Sequence, residues 1–179
     1  MSIDSKINMN LSHFKSEYNP YFDIYLKLLD QNDNCFDSLN ENHEVVNKFF
    51  DDIEDSKMTY TYAKDKWTIS QILQHILDTE RIFCYRALKI VREKQPRIIS
   101  YDHELYAEDY KCHSKDLLMK DYNSNRKSSI SLFKTFSKKD LNKSINQGRY
   151  KFKVGLIPFI FCGHELHHIE VIKSKYLTS

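Results

Sequence analysis

Glycine and proline are both scarce, at three residues each, where average usage would give about 12 and 9 in a chain of this length. Tight β-hairpins and phosphate-cradling loops consume glycine, because they need φ > 0 or a close backbone approach. Gly148, Gly155 and Gly163 are scattered, so neither a G-x-G-x-x-G fingerprint nor a P-loop can be written. A Rossmann enzyme, a P-loop NTPase and a compact all-β sandwich are set aside, and a mainly helical, all-α protein remains. A block of one charge is missing too. Twenty-seven Lys and Arg stand against 25 Asp and Glu, interspersed along the chain. No basic stripe marks a nucleic-acid surface.

Long apolar runs are also missing. The longest, from Val154 to Cys162, includes Gly155 and Pro158, and is far too short for a membrane span. The first ten residues, MSIDSKINMN, have no apolar segment of the kind found in secretory signals. Cys35, Cys84, Cys112 and Cys162 are widely spaced with no C-x-x-C pair. Reduced thiols in a cytoplasmic protein are the expectation, and a disulfide framework is not.

The 179 residues suffice for one domain with a sizeable core. Residues 1–19 are polar and read as a flexible N-terminal segment, leaving 20–179 as a single domain. A short helix is expected after Pro20, and a second from about Phe36 to Ile53. The clearest runs from about Ser70 to Arg92, with Thr68 as N-cap and an apolar stripe that includes Ile69, Ile72, Leu73, Ile76, Leu77, Phe83, Ala87, Leu88 and Val91. Pro96 stands just past its end. Residues 93–114 have weak periodicity and are too long for a turn, so they suit a crossover between parallel helices. Further helices are expected from about Lys115 to Phe136 and from about Ile157 to Tyr176. Four principal helices with long connections make a four-helix bundle.

The last helix carries GHELHHIEVIKSKYL. Residues four apart lie nearly above one another, so Ile160, His164, His168 and Ile172 form one inward line. Two imidazoles at i and i+4 can reach one ion. Alone, such a pair reads rather as ordinary half-buried or surface histidines. His75, at mid-height of the strongest helix beside Ile72 and Ile76, adds a third inward imidazole, in a place where bundles build metal sites; a core histidine bonded to a carbonyl or carboxylate is its plain alternative. Three histidines on one ion leave positions open, which is the layout of a catalytic rather than a closed structural site. Nitrogen ligands suit zinc, nickel, iron or copper.

HELHH also satisfies H-E-x-x-H. The metzincin extension would need Gly and His where the chain has Val171 and Ser174, and the composition offers no sheet to align a peptide. Glu165 is therefore either a general base on the metal side or a solvated surface acid. His167 points about 100° from His168, beside the ligands or at the surface. Cys84 and Cys162 point away. His13, His43, His103 and His113 read as solvated, with His103 or His113 available as a substitute ligand. Asp78 and Arg86 lie closest to the direction of His75 on its helix; Asp78 is placed either to orient His75 through its second nitrogen or to join Glu80 and Arg81 in a bridge between helices. Trp67 and Tyr62 read as packing.

Four stretches, EYNPYFDIYLKLL, YAKDKWTISQILQHILDTERIFCYRALKIVR, SYDHELYA and GHELHHIEVIKSKYL, resemble the DinB/YfiT-like metal-binding four-helix bundles, in particular the DinB_2 branch, from about Glu17 to Leu177. The resemblance implies an up-down-down-up bundle and a three-histidine metal site mapping to His75, His164 and His168, with zinc or nickel as the divalent metal. It implies a metal-dependent hydrolase or thiol S-transferase acting on a small molecule, with a low-molecular-weight thiol as cosubstrate and a homodimer as assembly. No membrane or nucleic-acid partner is expected. The chain departs from the family pattern at RIISYDHE, where Asp102 is a loose match, and at RYKFKV; both fall where a substrate pocket would be shaped. The other reading is a non-catalytic metal-binding or stress-associated bundle whose site is structural or vacant.

Overall fold

The computed structural model describes residues 9–14, 17–108, 110 and 113–178; Cys112 and residues 1–8 lie outside them. Short helix α1 (Asp23–Leu26) follows a 3-10 turn at Pro20–Phe22. Four long helices are α2 (Cys35–Asp51), α3 (Ile69–Arg92), α5 (Lys115–Lys134) and α7 (Ile157–Tyr176). Two short ones, α4 (His103–Glu108) and α6 (Lys138–Leu141), sit in the connections.

Local chemistry explains the starts. Thr68 and Gln71 form a reciprocal capping box on α3, satisfying donors that the first turn leaves free. Asn34 caps α2 and Ser114 caps α5 through side-chain acceptors. The stripe of α3 is buried as expected except at Leu88, which is 38% exposed, while Ile90 is buried in the stripe. The N-terminal half of α7, from Ile157 to Glu165, is buried on every side. A helix apolar all round belongs in the middle of a core.

Side-chain pairs fix the directions. Leu39 meets Arg126 and His43 meets Asn123, so α2 and α5 are antiparallel. Arg81 meets Asp121 and Cys84 meets Ser129, so α3 and α5 are parallel. His75 contacts His164 and Phe83 contacts Phe161, so α3 and α7 are antiparallel. Asn42 meets Glu165 and Lys173 lies over Phe49, so α2 and α7 are parallel. The order is up-down-down-up. Parallel α3 and α5 need the long crossover, and α4 lies within it.

Two elements depart from the expected layout. Residues 9–14 are not loose: Met9, Leu11 and Phe14 are buried, and the backbone is tied to the start of α2 through Cys35 N–H to the Met9 carbonyl (3.1 Å). Apolar side chains at three nearby positions outweigh the polar residues around them. The polar connection before α7 holds an antiparallel hairpin, β1 (Ser144–Gln147) and β2 (Tyr150–Lys153). Gly148 turns it with φ +59°, a conformation glycine adopts without strain.

The apolar interior has two clusters. Helix α7 leaves one at Cys162 and enters the other at Ile169. His164 and His168 fall in that interval.

Candidate metal centre

The site grows from two facing helices. His164 and His168 are one turn apart on α7, and His75 projects from α3 toward both. The Nε2 atom of His164 lies 3.0 Å from Nε2 of His75 and 3.0 Å from Nε2 of His168. The ligand atoms of all three lie within 4.8 Å of one another. His164 is buried and the other two half-buried.

Hydrogen bonding alone satisfies this cluster poorly. A neutral imidazole nitrogen either carries one proton or offers one lone pair, so the His164 Nε2 cannot make a full hydrogen bond to both neighbours. A shared cation resolves the conflict. Two nitrogens about 2.1 Å from one ion lie about 3.0 Å apart at a right angle and about 3.4 Å apart in a tetrahedron. Burial, with neighbouring imidazoles adding to it, holds His164 and His168 well below the ordinary histidine range, and burial lowers His75 to about 4. The rings are therefore neutral at physiological pH, the form that ligates metals. The donor set fits a divalent ion.

Gly163 prepares the wall beside this cluster. A Cβ there would lie 2.5 Å from the Tyr25 carbonyl oxygen, so glycine lets the α1 backbone touch α7. The Tyr25 ring then meets His164 edge-on at 5.2 Å. On the other side the Trp67 ring lies 4.9 Å from that of His75. Above the histidines opens a cavity of about 430 Å³, lined also by Thr79, Arg86, Tyr101 and Tyr150, within the size range of ligand sites.

The DinB superfamily model matches residues 38–172, more than half of the chain. The chain belongs to the DinB superfamily. Among solved structures, that of YfiT from Bacillus subtilis, described as "a probable metal-dependent hydrolase with an unusual four-helix bundle topology", matches with a TM-score of 0.69 at 18% identity. The match covers 78% of this chain and 82% of that one; at this identity the likeness is one of fold. No curated protein matches.

Within this DinB bundle several other expected residues take different roles. Glu165 is neither solvated nor turned to the cavity: it is 1% exposed and points about 100° around α7 from His164, where it accepts bonds from Arg126 (2.5 Å), Tyr122 (2.9 Å) and Asn42. Glu80 does not join Arg81; it binds Arg126 through both oxygens at 3.1 and 2.9 Å. Arg81 bridges Asp78 and Asp121 on its own. Asp78 accepts from Gln74 rather than orienting His75. Asp102 caps α4 through the N–H groups of Glu104 and Leu105. His43 is half-buried and bonded to Asn123 rather than solvated. His167 is half-buried against Tyr25, and His103 stands on the cavity wall with its ring 5.8 Å from that of His75.

Arg86, eleven residues after His75 and close to its direction on the helix, lines the cavity as its spacing implies; sequence reading missed Trp67 as a cavity residue and Arg126 as the centre of a buried network. Trp67 has a signal, its place directly before the cap of the helix that bears His75. Arg126 has none, since it sits among polar residues in a weakly patterned helix.

Proposed function

We propose that this DinB-superfamily chain is a divalent-metal-dependent enzyme acting on a small molecule, with His75, His164 and His168 as the metal ligands and zinc or nickel as the ion. The observation that carries the reading is the convergence of three neutral imidazole nitrogens at the floor of an open cavity. A closed structural site would need a fourth ligand and no access.

A divalent ion in that place supplies Lewis acidity and lowers the pKa of what it binds. The chain's own groups supply the rest. Trp67 and Tyr25 wall the imidazoles and add to the burial that holds them neutral. The Thr79 and Tyr101 hydroxyls, bonded to each other at 2.8 Å, are neutral groups on the cavity lining able to orient a substrate.

Hydrolysis is the first reaction to test, in line with the description given to YfiT. Thiol S-transfer is the second. Burial raises Cys35 and Cys84 to about 11 and about 12, and Cys162 further, so none of these three is a ready thiolate and the transferase reading takes its thiolate from a cosubstrate. Free thiols at these three positions support a cytoplasmic location, and no described helix is long and apolar enough to cross a membrane.

The test begins with divalent metal content in untagged wild type and His164→Ala. About one ion per chain in wild type and none in the variant is expected. Equal content in both removes the basis of the enzyme reading. A panel of ester, amide and thiol-plus-electrophile substrates on metal-loaded protein then separates hydrolase from transferase. Metal without turnover on any of them would favour a binding protein.

A further inference from the structure

The cavity above the histidines is lined by two arginines, Arg86 and Arg149, and by no aspartate or glutamate. Arg86 is 4% exposed. Its guanidinium lies 4.7 Å from the ring centroids of both Phe83 and Tyr150. Its Nη2 donates to the Ile99 carbonyl (3.2 Å) and to the Tyr150 hydroxyl (3.4 Å), while its buried Nε has no partner among the described residues. No carboxylate among the described residues pairs with it.

A buried arginine without a carboxylate is unusual. Arg126, the other buried arginine, is paired with two carboxylates, as a buried charge normally must be. An arginine stays charged even when burial lowers its affinity for the proton, as it does for Arg86. The second arginine adds to the same field: Arg149, exposed at the cavity mouth, lies over the Tyr150 ring at 5.3 Å and bonds Ser100. A divalent ion on the histidines would make the cavity more positive still.

Resting on the reading of this cavity as the substrate site, we propose that it takes an extended organic anion whose terminal carboxylate or phosphate is held by Arg86, with Arg149 drawing it in at the mouth. Helix α3 rises about 16 Å between His75 and Arg86, and a helical side chain leans back toward the N-terminus. The anionic end of the ligand is therefore separated from the metal end by several bonds. A compact anion such as acetate cannot reach both. Aromatic walls at Phe83, Tyr101 and Tyr150 flank the path between them.

The test uses metal-free protein, so that an ion contributes nothing to the attraction. Trp67 is the only tryptophan and lines the cavity, which makes its fluorescence a direct readout. The probes are 4-phenylbutyrate, phenyl phosphate, the neutral 4-phenylbutyramide, 4-phenylbutylamine and acetate. At least one aromatic anion should bind about tenfold or more tighter than the amide and the amine; which anion wins distinguishes carboxylate from phosphate. Acetate should be weakest of the anions. Arg86→Gln should erase the preference for anions, Arg86→Lys should retain part of it, and Arg149→Ala should weaken anion binding about two- to fivefold. If Arg86→Gln does not fold, as judged by circular dichroism, the wild-type and Arg86→Lys probe series still decide. Equal binding of the amide, or no binding of any anion, overturns the inference. Zinc titration run in parallel keeps the two readings apart, since an intact zinc site without anion preference sinks only this one.

Discussion

Arg126 and Glu165 meet at 2.5 Å in the middle of the bundle, one residue along α7 from His164. Residues i and i+1 on a helix point about 100° apart. A single peptide step thus separates the cavity face of α7 from a face devoted to a buried charge network. Arg126 also holds both oxygens of Glu80 and the Leu39 carbonyl, so one guanidinium ties α2, α3 and α7 to α5.

That network sets the first prediction. Arg126→Met leaves two buried carboxylates without a counter-charge and should cost about 3–5 kcal/mol. Glu165→Gln keeps one charge pair, with Glu80, and should cost about 1.5–3 kcal/mol. Urea unfolding measures both. Glu165→Gln should keep its metal stoichiometry, because Glu165 faces away from the three imidazoles; loss of metal in a folded Glu165→Gln protein would contradict this placement.

Metal removal gives the second. Wild type stripped with a chelator should gain about 2.7 kcal/mol on adding zinc at a hundredfold excess over Kd, or about 5–10 °C in Tm for a chain of this size. His75→Ala and His168→Ala should abolish the gain. Differential scanning calorimetry with and without zinc reads it, and an undiminished shift in either variant would remove that residue from the ligand set.

Gly163→Ala is the third. The added methyl would sit 2.5 Å from the Tyr25 carbonyl oxygen and 2.7 Å from its carbonyl carbon. Backbone cannot swing aside as a side chain can, so the cost should be about 1–3 kcal/mol. The displaced Tyr25 also exposes His164, so zinc affinity should fall with stability. Unchanged zinc affinity in a folded variant would show that Tyr25 does not help to hold the His164 ring.

The fourth concerns pH. Hydrogen bonds from Ser137, and then Lys143, hold the Asp140 carboxyl at about 2 against an ordinary 3.8. A carboxyl depressed by folding stabilises fully above its unfolded value and loses that contribution as pH falls through the folded one. Asp140→Asn should lower Tm by about 1–3 °C at pH 7, and the gap should narrow between pH 4 and pH 2. A gap that widens on acidification would reverse the sign.

Much of this architecture is legible in the amino-acid sequence. The N-cap at Thr68, the stripe of α3 and the four long helices follow from local spacing, because a helix repeats every 3.6 residues and its end donors need a nearby acceptor. The inward placement of His75, His164 and His168 follows from the same arithmetic. The order up-down-down-up was implied by family resemblance and by the length of the crossover.

What the linear chain determined by itself is which residues share a helix face, since that depends on neighbours within two turns. Tertiary structure alone decided which faces meet. It put Trp67 on the cavity, turned Glu165 inward onto an arginine 39 positions away, and packed Met9, Leu11 and Phe14 into the core. The physical reason is that a buried charge or an unpaired donor is defined by its partners. Those partners come from other helices, at sequence separations over which periodicity carries no information.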